Sequence, residues 1–211
     1  MEREVPDYIL DEEKRIQRRK AHQRRNFLKK SFAWVIGLMA SIAYLKFEAN
    51  WLEVTRKKVL LPTLKNKNPI RLLHLSDLHF SSRVSLQEIE IAMREGFALT
   101  PDACVITGDF ITDQQTNQEL EEFSKLLAKF ARNVPIFASL GNHDGGEWAG
   151  TRGGYMNSNK VQIMLKNAGI KLLDNQRESI YLKGNALSIA GVGDLWSNTC
   201  LPKKCLPKRS S

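Results

Sequence analysis

Cysteine is scarce in this sequence, and the few cysteines limit the kinds of site it can build. Only three occur among 211 residues, which excludes a disulfide-stapled scaffold. Cys104 lies in an apolar run, so we expect a reduced core residue. Cys200 and Cys205 could pair or bind a metal, but no second cysteine pair is present to complete a zinc site. Glycine (13) and proline (7) are too few for a collagen-like or low-complexity chain, so the composition is globular.

Acidic residues are outnumbered in the first third of the chain. Residues 1–67 contain 16 Lys and Arg against 8 Asp and Glu, whereas residues 68–211 contain 16 against 15. The net charge of +9 therefore lies almost entirely in an N-terminal arm. A nucleic-acid-binding domain would carry its basic excess on the folded part, so we expect no nucleic-acid partner.

A basic segment is followed directly by an apolar one. Residues 13–30 contain nine Lys and Arg, and residues 31–45 contain no charged residue. This order is typical of a membrane-targeting element. Fifteen helical residues cover roughly 22 Å, short of a hydrocarbon core of about 30 Å. A spanning or partly inserted anchor, a cleaved signal and a buried helix of a soluble fold all stay open.

From residue 70 onward the sequence alternates between strand and helix signals. Short apolar runs at 70–76, 103–107 and 134–140 predict buried strands. Ser85 and Thr116 each stand three residues before a glutamate, and this capping box predicts the start of a helix. The alternation predicts an α/β fold with a largely parallel sheet at first.

Three helices and a hairpin complete this pattern. Apolar residues at helical spacing follow both capping boxes and recur before Gly169, which is predicted to end the third helix. Runs at 179–182 and 186–192 flank Gly184-Asn185, which predicts a hairpin with that pair as its turn. The buried helix faces are predicted to comprise Leu86, Ile89, Met93, Phe97, Leu120, Phe123, Leu127, Phe130, Val161, Met164, Leu165 and Ala168.

Metal-ligating side chains follow each of the three predicted parallel strands. The first strand is followed by Asp77-Leu78-His79, the second by Gly108-Asp109, and the third by Gly141-Asn142-His143-Asp144. Functional groups collect beyond the carboxyl ends of such strands. Mixed carboxylate and imidazole ligands suit Mn, Fe or Zn better than Ca. Each motif alone is ordinary turn chemistry, but three of them in order predict a metal site.

These three motifs resemble the sequence blocks of the calcineurin-like metallophosphoesterases, over residues 70–198. The resemblance implies a β-sandwich flanked by helices and a hydrolase of phosphodiester or pyrophosphate bonds. The N-terminal Arg-Arg-x-Phe-Leu stretch and the run Gly-Val-Gly-Asp-Leu-Trp at 191–196 are similar to one bacterial, membrane-associated branch. That branch includes a UDP-2,3-diacylglucosamine pyrophosphatase of lipid A synthesis, which releases UMP and a lipid 1-phosphate.

The resemblance also assigns roles to individual residues. It implies that Asp77 and His79 bind a first metal, that Asp109 bridges two metals and that Asn142 binds the second. It further implies that His143 is catalytic and protonates the leaving oxygen, a role that suits an imidazole near neutral pH. The expected cofactor is a pair of divalent ions, manganese in the first place, with magnesium, iron or zinc as alternatives.

Two further polar residues lie close to these blocks. Residues 141–154 contain six glycines and Arg152, so we expect either a mobile loop in which Arg152 binds substrate or a plain surface loop. Asp144 could orient His143 or cap a turn. Asp194 and Trp196 could contact substrate or form a turn after the last strand.

Histidine is absent after position 143, where the family places further histidine ligands. We therefore expect an incomplete second metal site and an incomplete second sheet, as in a truncated reading frame or a fragment. The 211-residue chain is then expected to lack measurable activity. An inactive remnant or a membrane-tethered binding protein is the alternative to an enzyme.

The expected location is the bacterial inner membrane, with the basic arm on anionic lipid head groups and a membrane lipid or nucleotide-linked lipid as substrate. Basic residues before the apolar segment favour a cytoplasmic N-terminus, so a full span would separate the domain from a UDP-linked substrate. The side of the membrane and the oligomeric state stay open. The predicted segments are a basic arm (1–30), a membrane anchor (31–46), a linker (47–69), the N-terminal part of the phosphoesterase domain (70–200) and an irregular tail (201–211).

Overall fold

The computed structural model describes residues 7–49, 52–62, 64 and 68–206. The chain divides into two compact units, Met1–Thr55 and Arg56–Ser211. In chain order the elements are α1 (Asp7–Ala49), β1 (Leu72–Leu75), α2 (Leu86–Ala98), β2 (Ala103–Thr107), α3 (Asn117–Ala131), β3 (Ile136–Ser139), α4 (Glu147–Gly150), α5 (Asn159–Asn167), β4 (Lys171–Leu172), β5 (Gln176–Leu182), β6 (Asn185–Gly191) and a short 3₁₀ helix (Pro202–Lys204).

The first unit consists of the long helix α1. Its 43 residues join the basic arm and the apolar segment in one helix, and the first three residues of the predicted linker are still helical. No proline interrupts residues 7–49, so nothing in the sequence breaks the helix. Large apolar side chains such as Trp34 and Leu38 are exposed on it. Within α1, the segment Gln17–Leu45 is long and apolar enough to cross a membrane, by length and composition alone.

The second unit is built on a parallel sheet of four strands in the order β1-β2-β3-β4. The prediction of a parallel sheet is confirmed. Strand β4 was not predicted, because it has only two residues, Lys171 and Leu172, that pair with Phe137 and Ala138. So short a strand carries no periodicity of its own.

Helices α2, α3 and α5 cover one face of this sheet. Both predicted capping boxes are present, since Ser85 Oγ accepts from the Glu88 N–H at 3.3 Å and Thr116 Oγ1 accepts from the Glu119 N–H at 3.2 Å. The predicted helix faces are buried, except that Leu86 and Phe97 are half-buried and pack against the core. The helices pack on sheet residues Cys104, Ile106, Ile136 and Ala138.

The opposite face of the first strand is more open. Leu73 and Leu75 pack against the core, whereas Leu72 is 55% exposed and His74 is exposed. The Nε2 atom of His74 lies 2.8 Å from Thr107 Oγ1 on the neighbouring strand. The first strand is therefore buried on its helix-facing side only.

Strands β5 and β6 form a separate antiparallel hairpin, the second, small sheet of the described residues. Its turn is Lys183-Gly184, both with positive φ (47° and 81°), because Leu182 pairs with Asn185. The predicted turn at Gly184-Asn185 is thus wrong by one residue. A two-residue hairpin turn of this kind needs positive φ at both central positions, and Asn185 instead begins β6 as a buried residue.

The three cysteines are free. Cys104 is buried in the core, as predicted, and burial raises the pKa of its thiol to about 12. The idea that Cys200 and Cys205 pair with each other is therefore wrong for this structure.

Candidate metal centre

The predicted site residues lie at one edge of the parallel sheet. Asp77 and His79 follow β1, Asp109 follows β2, and Asn142 and His143 follow β3. Because these three strands are neighbours and parallel, their carboxyl ends open onto the same edge. The topology therefore brings together residues that are up to 66 positions apart in the chain.

Three of these residues have a left-handed backbone. The φ angles are 56° at Asp77, 49° at His79 and 53° at Asp109, a conformation that is uncommon for residues other than glycine. Backbone hydrogen bonds between the loops hold it, from the Asp77 N–H to Gly108 O at 3.2 Å and from the His79 N–H to Asp109 O at 2.9 Å. Such strain persists where the surrounding structure fixes it, and it clusters at functional sites.

The loops after β2 and β3 touch at Gly108. Its φ is 79°, and a Cβ there would collide with the backbone of Gly141. Any larger residue at this position would separate the two loops. Gly108 therefore allows Asp109 and Asn142 to lie on loops in direct contact.

Three side chains form a ligand cluster. His79, Asp109 and His143 each offer one ligand atom, and these atoms all lie within 4.8 Å of one another. The Nε2 atom of His79 is 3.9 Å from Asp109 Oδ2 and 3.6 Å from Asp77 Oδ1. Two imidazoles and a carboxylate, each half-buried, fit a divalent transition metal. The Asp77 side chain is 61% exposed and lies at the margin of this cluster.

His143 is held in a defined orientation. Its Nδ1 lies 2.9 Å from the carbonyl oxygen of Thr112, and a carbonyl only accepts, so Nδ1 carries a proton. In the neutral ring Nε2 is then the atom with a free lone pair. The backbone N–H of His143 donates to Asp109 Oδ1 at 2.9 Å. His143 therefore lies in the same cluster as His79, with Nε2 left for a metal or for a proton.

Thr112 is a site residue that the sequence does not reveal. Its Oγ1 lies 3.2 Å from His79 Nδ1, and its carbonyl accepts from His143 Nδ1. One residue thus orients both histidine rings, the kind of outer contact that fixes ligand geometry. The only signal in the sequence is its position three residues after Asp109.

Asp144 is the deeply buried acid of the site. It is fully buried, and its Oδ1 accepts from the N–H groups of Phe110 (2.7 Å) and Ile111 (3.4 Å), while Oδ2 accepts from the Gly141 N–H (2.8 Å). Of the two predicted roles, this geometry is that of a turn cap. The carboxylate ties the loop after β2 to the loop after β3.

Burial also shifts the acidity of Asp144. Removal from water and the nearby charge of Asp109 raise its pKa, the three N–H donors oppose the rise, and together these effects raise the pKa to about 7. Within the described residues this is the one carboxyl group whose pKa is raised. A perturbed acid inside a candidate site is typical of functional centres.

Arg152 lies one aromatic ring away from the cluster. Its Cζ is 4.2 Å from the centre of the Trp148 ring, which in turn lies 4.7 Å from the ring of His143. Arg152 was predicted to bind substrate, and this position leaves it close to the site. Trp148 was not predicted, because a single aromatic residue in a glycine-rich loop carries no pattern.

Comparisons with known proteins agree with this geometry. The family described as Calcineurin-like phosphoesterase matches residues 70–203. Phosphodiesterase YaeI of Escherichia coli is 33% identical over 85% of this chain and 63% of its own length. An uncharacterized metallophosphoesterase of Aquifex aeolicus is 28% identical over 72% of the chain and 53% of its own length. UDP-2,3-diacylglucosamine pyrophosphatase LpxG of Chlamydia trachomatis is 25% identical over 74% and 59%. The chain thus spans less than two thirds of these relatives.

Proposed function

The chain belongs to the calcineurin-like phosphoesterase family, whose members are hydrolases that use divalent metal ions, and we propose that it hydrolyses a phosphodiester or pyrophosphate bond. The observation that carries the proposal is the cluster of His79, Asp109 and His143 within 4.8 Å at the carboxyl edge of the sheet. Similarity to a phosphodiesterase over 85% of the chain supports the same activity.

We assign the ligands as follows. Asp77 and His79 would hold one metal ion, Asn142 would hold the other, and Asp109 would lie between them. When bound, two divalent ions stabilise charge on the phosphoryl group and lower the pKa of an attacking water. Asp109 Oδ1 accepts the His143 N–H, while Oδ2 faces His79 at 3.9 Å. The two oxygens of this carboxylate are thus directed to different partners.

His143 is the proposed general acid. The Thr112 carbonyl keeps the proton on Nδ1, so a second proton on Nε2 makes the ring cationic and able to protonate the leaving oxygen. Thr112 acts as a positioning residue, because it contacts the ring and not the reacting group.

The proposed substrate is a nucleotide-linked lipid, UDP-2,3-diacylglucosamine, cleaved to UMP and a lipid 1-phosphate. Similarity to the Chlamydia trachomatis pyrophosphatase supports this choice, and the exposed apolar side chains of α1 with their basic flank suit a protein at a bilayer surface. The metal proposed is manganese.

Hydrolysis tests the proposal directly. The absence of later histidines led us to expect an inactive chain, whereas the proposed function predicts the opposite result. The full chain with Mn²⁺ should release p-nitrophenol from bis(p-nitrophenyl) phosphate and UMP from UDP-2,3-diacylglucosamine. Asp109→Asn keeps the shape of the side chain but removes the carboxylate charge that would hold the metals, so turnover should fall at least 100-fold, by analogy with losses at metal-supporting residues. Glu121→Gln, an acid-to-amide change on the exposed face of α3, is the matched control. Unchanged turnover in Asp109→Asn would contradict the assignment.

A second candidate is a membrane-tethered binding protein without turnover. The observation that favours it is the small ligand set, since the part of the chain that the structure describes contains one cluster of three such ligands. Two-metal hydrolysis needs both ions at a fixed separation. Counting bound Mn²⁺ per chain distinguishes the candidates, because two ions support the hydrolase and a single ion supports the binding protein.

A further inference from the structure

An aromatic chain runs outward from His143. The ring of Trp148 lies 4.7 Å from the His143 ring at an interplanar angle of 65°, and the ring of Trp196 lies 6.4 Å beyond it at 72°. Arg152 covers one face of Trp148 at 4.2 Å. We call Trp148, Arg152 and Trp196 the aromatic ledge. It combines large planar surfaces with a positive charge beside the candidate acid.

Two loops build this ledge, and both are anchored. Arg152 Nη1 donates to the Trp148 carbonyl at 3.2 Å, which holds the guanidinium over the indole. The Asp194 carboxylate accepts from the Trp196 N–H at 3.2 Å and from the Ser197 N–H at 2.7 Å. A Cβ at Gly146 would come within 2.8 Å of Ser197 Oγ, so the two loops pack closely. The position of Trp196 near Trp148 is therefore specified by the structure.

The ledge is open to a ligand. Trp196 is 68% exposed, Arg152 is exposed and Trp148 is half-buried. Core packing does not account for an exposed indole in this place. A base that stacks on an aromatic side chain of this kind binds about tenfold more tightly, and a guanidinium over an indole adds a cation for a nearby phosphate.

We propose that the aromatic ledge is a subsite for the base of a nucleotide whose phosphate lies at the metal centre. The inference rests on the proposed function, because it takes the reacting phosphate to lie beside His143. A base suits the ledge better than an acyl chain does, since an acyl chain prefers an enclosed apolar surface and here a solvated guanidinium covers one indole face. The base stacks on Trp196, and Arg152 lies within reach of the phosphate.

Calorimetry on the full chain with Mn²⁺ tests the subsite, with uridine monophosphate and ribose 5-phosphate as probes. Trp196→Ala should weaken uridine monophosphate binding about tenfold and leave ribose 5-phosphate binding unchanged. Because Trp196 is exposed, its replacement leaves the core intact. Leu195→Ala, a 73% exposed neighbour on the same loop, should change neither affinity.

A second readout uses fluorescence. In a chain that also carries Trp34→Phe and Trp51→Phe, the ledge holds the remaining tryptophans of the four. Uridine monophosphate should quench their emission, whereas ribose 5-phosphate should not. Absence of quenching, together with a change of less than twofold in the calorimetric affinity of Trp196→Ala, would overturn the proposal.

Other outcomes are also decisive. A base subsite would be overturned if Trp196→Ala weakened the binding of both probes equally, or if uridine monophosphate did not bind at millimolar concentration. Lysophosphatidic acid is a third probe, which carries an acyl chain. If Trp196→Ala weakened the binding of lysophosphatidic acid alone, the result would overturn the base subsite and favour an acyl chain. Turnover of bis(p-nitrophenyl) phosphate is measured on the same preparations. Base-dependent binding without turnover would support the base subsite and contradict the proposed hydrolase activity. Turnover without base-dependent binding would support the hydrolase activity and contradict the base subsite.

Discussion

Replacement of Asp144 by asparagine should separate the loops that carry the metal ligands. The carboxylate accepts three backbone N–H groups, two at Oδ1 and one at Oδ2, and it is fully buried. Asparagine has nearly the same shape but only one acceptor oxygen. If that oxygen keeps Phe110 and Ile111, the amide nitrogen faces the Gly141 N–H, and two donors are opposed.

The magnitude follows from these contacts. At pH 8, where Asp144 is ionised, loss of one hydrogen bond to a charged acceptor, with a buried N–H left unpaired, costs about 1.5–3 kcal/mol. The opposed donors also push the loop after β3 away from the loop after β2. Because Asp109 and Asn142 lie on those loops, Mn²⁺ should bind about tenfold more weakly, the range seen when outer contacts of ligands are lost.

Ionisation of Asp144 gives the same variant a pH signature in the metal-free protein. The folded pKa is raised to about 7 from 3.8, so between these values the folded state binds a proton that the unfolded state has lost. The contribution of Asp144 to stability is therefore present at low pH and lost as pH rises from about 4 to about 7, by up to about 4 kcal/mol. Asparagine does not titrate, so its cost in stability should be larger at pH 5 than at pH 8.

Urea unfolding at pH 5 and pH 8 measures the free energy of unfolding, and calorimetry measures Mn²⁺ affinity. The control is Ser124→Ala, which removes a buried hydrogen bond of 2.9 Å to Met164 O on the helix side. It should cost about 1 kcal/mol at both pH values and leave Mn²⁺ affinity unchanged. An Asp144→Asn protein with the Mn²⁺ affinity of the parent, or with the same cost at both pH values, would refute this reasoning.

Three further outcomes are expected. Asp109→Ala should abolish Mn²⁺ binding in calorimetry, because Asp109 belongs to the three-residue cluster. Asp77→Ala should weaken Mn²⁺ binding less, because that side chain is 61% exposed. Equal Mn²⁺ affinity of the parent and Asp109→Ala would show that Asp109 is not a ligand. The full chain should sediment with membranes and resist high salt, since residues 31–45 are uncharged, and release by salt alone would show binding through the basic arm only. Cys104, with its pKa near 12, should stay unmodified by a thiol reagent at pH 8 until urea is added, while the partly exposed Cys200 reacts; labelling of Cys104 in the folded protein would show that the core opens.

Local signals account for what the sequence predicts of the fold. Each capping box specifies a helix start within four residues, and the apolar spacing after it specifies the buried face. The hairpin turn was predicted one residue too late, at Gly184-Asn185, whereas the structure has it at Lys183-Gly184. Backbone sterics decide which pair of residues adopts positive φ, and residue preference alone does not. Strand β4 exists through its pairing with β3, and a two-residue segment has no pattern from which pairing can be predicted.

The candidate site shows the same division. Asp77, His79 and Asp109 follow from the rule that parallel strands end at one edge. The role of Thr112 does not, and the sequence leaves two roles open for Asp144, because their contacts with His79, His143 and Phe110 join residues 31 to 34 positions apart in the chain. Such contacts form only when the loops fold against each other, so no local sequence pattern predicts them.

The charges of the site link cation binding to the hydrogen bonds by which Asp144 ties the two ligand loops together. Asp77, Asp109 and Asp144 place three carboxyl groups on adjoining loops, and the charge of Asp109 is one reason why the pKa of Asp144 is raised. A divalent cation on Asp109 would offset that repulsion and favour the ionised form of Asp144. The ionised form is the better acceptor for the N–H groups of Phe110 and Gly141, which hold the ligand loops in place. A bound cation and the Asp144 hydrogen bonds would then stabilise each other.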